Sequence, residues 1–228
     1  HVGTTIAMKN DGNNFNGLAV KVLPIRVFGT EASEVGGTRY DIKQGILYAA
    51  GLTNTSGTVA PTATPVKVIN LSLGGSSAWD CSIFADVVAK GITVVAASGN
   101  DGDESGGNYN YPASCTNVIS VGATNSLDNR AVYSQFNNQV DIAAPGGSSY
   151  IDADADGVVD QVHAFGTNTQ LGSTQGTSMA SPHVAGGIAL MYSIDSTMSP
   201  SKVNTYLQAG YLTDDLGGAG YDNSFGYG

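Results

Sequence analysis

A mostly parallel β-sheet covered by helices on both faces is the fold class this sequence predicts. Three observations carry the prediction. Apolar runs of strand length alternate with segments of helical spacing. The runs are near-continuous, as in strands buried on both faces. Two of them end in glycine-rich polar turns, Ser72–Gly75 and Ser98–Gly102, at the carboxyl edge where such sheets bind ligands. A length of 228 residues suits one α/β domain, large enough to bury roughly 70% of its unfolded surface. No repeat or linker divides the chain, so residues 1–228 read as a single domain.

In chain order, Val20–Phe28 is rich in Val, Leu and Ile and reads as a strand. Asp41–Leu52 places Ile42, Ile46, Leu47 and Ala50 on one helical face. Thr53–Thr64 has no periodicity and reads as a loop. Val66–Leu73 is a buried strand ending at Gly74-Gly75, Ser82–Lys90 a short helix, and Ile92–Ala97 a second buried strand. Asn117–Ala123 and Val140–Ala144 continue the strands. Ser178–Tyr192 is helical, with small residues where it must pack closely. Ser199-Pro200 supplies a cap and a first-turn proline for a last helix through Lys202–Gln208.

Composition narrows the function. Nineteen Asp+Glu against nine Lys+Arg give a net charge of −10, which repels nucleic acid and anionic membrane surfaces. No run of 18 apolar residues is present to span a bilayer. The chain opens on His1 with no signal-peptide pattern. Cys81 and Cys115 lack the spacing and the nearby His of a zinc site. They read either as two separate buried thiols or as one disulfide of an exported protein, which the acidic, Gly/Ser/Thr/Asn-rich composition favours.

The most informative stretch is Gly176-Thr177-Ser178-Met179-Ala180-Ser181-Pro182-His183-Val184-Ala185-Gly186. It sets a serine at a tight turn before a helix, where unpaired amide hydrogens and the helix dipole can stabilise an oxyanion. An ordinary serine cap would look the same over two or three residues. The whole string resembles the serine segment of the subtilisin-like serine proteases. That resemblance implies a three-layer α/β fold and makes Ser178 the nucleophile, with His183 a helix residue and not the base.

Further stretches resemble the same family in the same order. Ile69–Gly75 resembles its substrate-pairing strand, which implies that Ser72, Leu73, Gly74 and Gly75 line the main specificity pocket. Val94–Asn100 resembles its oxyanion segment, implying Asn100 as an oxyanion donor, with Ala97, Ser98 and Gly99 against the substrate. Tyr111-Pro112 resembles the family's cis peptide, which places Asn110 near the pocket floor. Asp141–Gly146 resembles the strand before the serine loop. Cys81 and Pro112-Ala113-Ser114-Cys115 look like a disulfide pair found in secreted bacterial members.

The base and its orienting Asp are not in these stretches. His1–Ala7 aligns with the second half of the family's histidine motif, so that His1 is the histidine after the base. A competing registration makes His1 the base, but it requires Gly-Thr next and meets Val2-Gly3. The end, Ser224–Gly228, resembles the family's closing Gly-Tyr-Gly. The resemblance therefore implies a catalytic-domain fragment cut at both ends, inactive alone, from a secreted, monomeric endopeptidase of extended polypeptides. The competing class is a pseudoprotease serving as a calcium-bound binding module. Sedolisins, which carry Asp at the oxyanion position, are disfavoured by Asn100.

A separate pattern points to calcium. Asp152, Asp154, Asp156 and Asp160 stand at positions 1, 3, 5 and 9 of a loop with Gly157 at 6. Alternate carboxylates with the Val158 carbonyl at 7 are the front of an EF-hand-type site. His163 replaces the usual bidentate Glu at position 12 and reads as a structural strand residue between Val162 and Phe165. Asn10–Asn16 occupies the place of a second family calcium loop.

Overall fold

Among the described residues, four parallel strands form the central sheet in the order β1 (Val68–Leu71), β2 (Thr93–Ala97), β3 (Val118–Thr124) and β4 (Ile142–Pro145). The computed structural model describes residues 1–7, 18, 20–29, 36–60, 65–102, 108–166 and 170–228. The register pairs Asn70 with Val95, Val95 with Ile119, and Val121 with Ile142. Around the sheet stand α1 (Val2–Ile6), α2 (Arg39–Ala49), α3 (Ile83–Ala89), α4 (Thr177–Ile194) and α5 (Pro200–Gln208). A separate antiparallel pair, β5 (Val162–Phe165) and β6 (Leu171–Thr174), follows β4.

Alternation along β2 makes three layers. Val94 and Ala96 join Ile42, Ile46, Phe84 and Val87 of α2 and α3 in one core. Val95, between them, joins Ala180, Ala185, Ile188, Val203 and Leu207 of α4 and α5 in the other. Successive strand side chains point to opposite faces, so an unbroken apolar run is the pattern of a strand with helices on both sides. All five residues of β2 and all seven of β3 are buried.

Local chemistry fixes the helix starts. The Thr38 hydroxyl oxygen accepts the Asp41 amide at 3.1 Å, and Ser199 accepts the Lys202 amide at 3.3 Å with Pro200 in the first turn. Each cap satisfies one of the orphan amides that a helix start exposes.

One reading from sequence meets a different structure. Val20–Phe28 forms no strand: its described residues have no ladder partner, and Val22, Leu23 and Phe28 are exposed. Apolar composition gives a segment the propensity for a strand, but only hydrogen bonding to a neighbour makes one. His163 stands on β5 as expected, and β6, of alternating exposure, carries no apolar run to mark it in the sequence. Asn10–Asn16 lies outside the described residues.

Asp141, at the entry to β4, accepts the Ser120 amide at 2.8 Å and gives its backbone carbonyl to Tyr227 at 2.9 Å. Burial raises its carboxyl to about 6, against the lowering effect of the Ser120 amide. From about pH 4, where an unfolded Asp has released its proton, up to about 6, the folded chain holds a proton that the unfolded chain lacks. Stability should therefore fall as pH rises through this window and then level off. Subtracting the pH–stability curve of D141N from that of the wild type should isolate this fall. Equal curves would show that Asp141 titrates normally. Asp80 acts in the opposite sense, its carboxyl held at about 2 by the Ser82 hydroxyl and Lys43.

Candidate active site

Gly176 precedes α4 at φ +145°, a backbone region that side chains with a Cβ rarely adopt. The turn makes Thr177 the first helical residue and Ser178 the second. The amides of this first turn lack helical acceptors, and the helix dipole favours negative charge beside them. Ser178 Oγ donates to the Ser72 carbonyl at 3.3 Å, while Ser72 Oγ donates to the Ser178 carbonyl at 2.8 Å. Two opposed bonds thus join the end of β1 to the start of α4.

Asn100, after β2, completes the arrangement. Its Oδ1 accepts both the Thr177 amide and the Thr177 hydroxyl, each at 2.9 Å. A backbone N–H can only donate, so the amide oxygen must face Thr177 and the NH₂ must face away from it. Thr177 is 0% exposed, and its hydroxyl oxygen accepts the Gly99 amide at 3.2 Å. Tyr133 supports the same turn, accepting the Gly176 amide at 3.0 Å and donating to the Gly147 carbonyl at 2.8 Å. Burial pushes this phenol up to about 12, so it remains a donor across the working pH range.

The strand ends Ser72–Gly75 and Ala97–Asn100 thereby flank Ser178 from two sides, and Asn110 stands between them. Asn110 is 7% exposed and donates through Nδ2 to the Ala97 carbonyl at 3.4 Å. A Cβ on Gly74 would lie 2.3 Å from that nitrogen, so any larger residue there would displace the Asn110 side chain. Ala97 and Ser98 are buried, and Leu73 packs against the core under α2 and α3. Tyr111 exchanges two backbone hydrogen bonds with Gly75, at 3.0 and 2.8 Å, and the Tyr111-Pro112 peptide is cis. A disulfide joins Cys81 to Cys115, with Cα atoms 5.3 Å apart, and anchors the same turn.

Of the four acidic-loop carboxylates, three converge: ligand oxygens of Asp152, Asp154 and Asp156 lie within 4.8 Å of one another. Asp160 does not join them. Its Oδ2 accepts Ser126 Oγ at 2.6 Å and the Ala153 amide at 2.8 Å, and the Ser126 hydroxyl is the main cause that lowers its pKa. Val158 is exposed, with its amide bonded to Asp156. Converging carboxylate oxygens suit a hard divalent cation such as calcium.

A model of the subtilase family matches residues 1–228. The chain belongs to the subtilase family. It is 38% identical over 216 residues to an extracellular protease of Xanthomonas campestris pv. campestris, covering 90% of this chain and 34% of that protein. It is 35% identical to an extracellular basic protease of Dichelobacter nodosus, covering 90% of this chain and 33% of that one. Subtilisin DY of Bacillus licheniformis is 36% identical over 214 residues, covering 92% and 68%. The chain spans about a third of the length of the first two relatives. Among solved structures, a protease of Pseudoalteromonas arctica superposes with a TM-score of 0.75 at 34% identity, covering 92% of this chain and 62% of that one.

In this subtilase, each of the three imidazoles has one ring nitrogen bonded to a group other than Ser178, and the second ring nitrogen of His1 is buried without a partner among the described residues. His1 Nε2 meets the Val162 carbonyl at 3.1 Å, His163 Nδ1 meets Ser173 Oγ at 2.9 Å, and His183 Nδ1 meets the Met179 carbonyl at 2.9 Å. Sequence reasoning gave no role to Thr177, Tyr133, Asn70 or Ser181. Thr177 lies inside the serine motif, but its tie to Asn100 spans 77 positions and leaves no local pattern.

Proposed function

We propose that the protein is a serine endopeptidase of extended polypeptides, working through an acyl-enzyme on Ser178. The observation that carries this reading is the locked Asn100 amide beside the first turn of α4. An imidazole takes the Ser178 proton as Oγ attacks the scissile carbonyl. The Ser178 backbone N–H and Asn100 Nδ2 receive the oxyanion. The C–N bond then breaks, the amine leaves with that proton, and water hydrolyses the ester to free Ser178.

None of the three imidazoles is bonded to Ser178, which supports placing the base and its orienting Asp upstream of His1 in the whole protein. Residues 1–228 alone should then be nearly inactive, since catalysis without a base retains only about 10³–10⁴ over the water rate. Purified His1–Gly228 should leave casein intact, whereas the full-length protein should cleave it and lose activity to a serine-directed phosphonate. Phosphonate-sensitive turnover by residues 1–228 alone would place the base within them. A full-length protein without hydrolysis would favour the binding-module reading.

Asp152, Asp154 and Asp156 would hold a structural calcium ion with the Val158 carbonyl and water, and bound calcium would offset two of the ten net negative charges. At 100-fold above its Kd, calcium should stabilise the fold by about 2.7 kcal/mol, a rise in Tm of roughly 5–10 °C. D154N should abolish most of the rise in a thermal melt. A melt unchanged by calcium or by a chelator would refute the site. The extracellular relatives, the acidic composition and the disulfide support a secreted enzyme, and the resemblance to subtilisin-type enzymes supports a monomer.

A further inference from the structure

Pro182 lies inside α4. In an α-helix the amide of residue 182 would donate to the carbonyl of residue 178, and proline has no N–H to donate. The nucleophile's own carbonyl is thereby left without its helical donor. Ser72 Oγ fills that position at 2.8 Å, from a residue 106 positions away.

The direction of the Ser72 hydroxyl is itself set. Ser181 Oγ, 0% exposed, donates to Asn70 Oδ1 at 2.6 Å. This turns the other end of the Asn70 amide outward, and Nδ2 donates to Ser72 Oγ at 3.0 Å. With that oxygen already accepting, the one hydroxyl proton of Ser72 points to the Ser178 carbonyl. The Ser178 hydroxyl answers by donating to the Ser72 carbonyl at 3.3 Å.

We propose that Asn70 is a positioning residue: the relay Ser181–Asn70–Ser72 holds the carbonyl freed by Pro182 and so fixes the first turn of α4, with its nucleophile and oxyanion amide, against β1. The proposal rests on Ser178 being the nucleophile. It differs from a packing role because it depends on which atoms of the Asn70 side chain donate and which accept. Asp at position 70 has the same shape and no N–H. It would accept from Ser72 Oγ and turn that hydroxyl away from Ser178.

The test is a double-mutant cycle in the full-length enzyme with N70D, S72A and the double variant. It reads kcat and KM on a peptide amide, the rate of Ser178 phosphonylation, and Tm. N70D and S72A should each lower kcat and phosphonylation about tenfold, the scale of one hydrogen bond, with KM within twofold. The double variant should fall no further than S72A, because both changes break one relay. Wild-type kcat in N70D, or losses that multiply in the double variant, would overturn the relay while leaving the nucleophile in place. A wild-type enzyme that neither turns over nor is phosphonylated at Ser178 would overturn the nucleophile reading and the relay with it.

Discussion

Asn100→Leu should lower kcat of the full-length enzyme by about 10²–10³-fold with KM nearly unchanged. The size belongs to oxyanion donors of subtilisin-type enzymes in general. The split follows from the proposed oxyanion role, in which Nδ2 meets a full negative charge only in the transition state, so ground-state binding loses little. Leu keeps the side-chain volume but offers nothing to Thr177, whose amide and hydroxyl both donate to Asn100 now. Steady-state kinetics on a peptide amide, with a melt to confirm folding, separates the cases. A rise in KM at constant kcat would mean that Asn100 binds substrate and does not stabilise the oxyanion.

Replacing Cys81 and Cys115 together by Ala should cost about 3–4 kcal/mol, from the chain entropy released when a 34-residue loop is no longer closed. In a domain of this size that is a fall in Tm of roughly 10 °C. The effect should reach the site as well. Cys115 follows the Asn110–Pro112 turn, whose backbone pairs with Gly75, so loosening it frees the floor between the two strand ends. Melts of the double variant check the first effect, and relative kcat/KM across short and long side chains beside the scissile bond checks the second. A change under 1 kcal/mol would mean that the unfolded chain gains little freedom when the bridge is absent.

The sheet was readable because its strands are buried on both faces. Val66–Leu73, Ile92–Ala97 and Asn117–Ala123 have runs that no amphipathic element shows, and the strands fall within them or within one residue of them. Val20–Phe28 carries the same composition without a partner, and sequence cannot tell those cases apart. At the site, Ser178, Asn100 and Asn110 were accessible through a long motif and its ordered neighbours. What orients them was not. Thr177, Asn70 and Ser181 act through bonds spanning 77 to 111 positions, and a polar side chain gives no sign in sequence of which distant group it meets. Asp160 shows the converse: it sits at the right loop position, and sequence gives no sign that its Oδ2 is bonded to Ser126.

Because β1 to β4 all run the same way, their carboxyl ends lie along one edge, where Ser72, Asn100 and Gly146 leave the sheet. The opposite edge carries the connections that enter the strands. Lys90, exposed at the turn that leads into β2, sits there. An amine-reactive resin joined at Lys90 would therefore hold the molecule with the edge that carries Ser178 facing outward into solution.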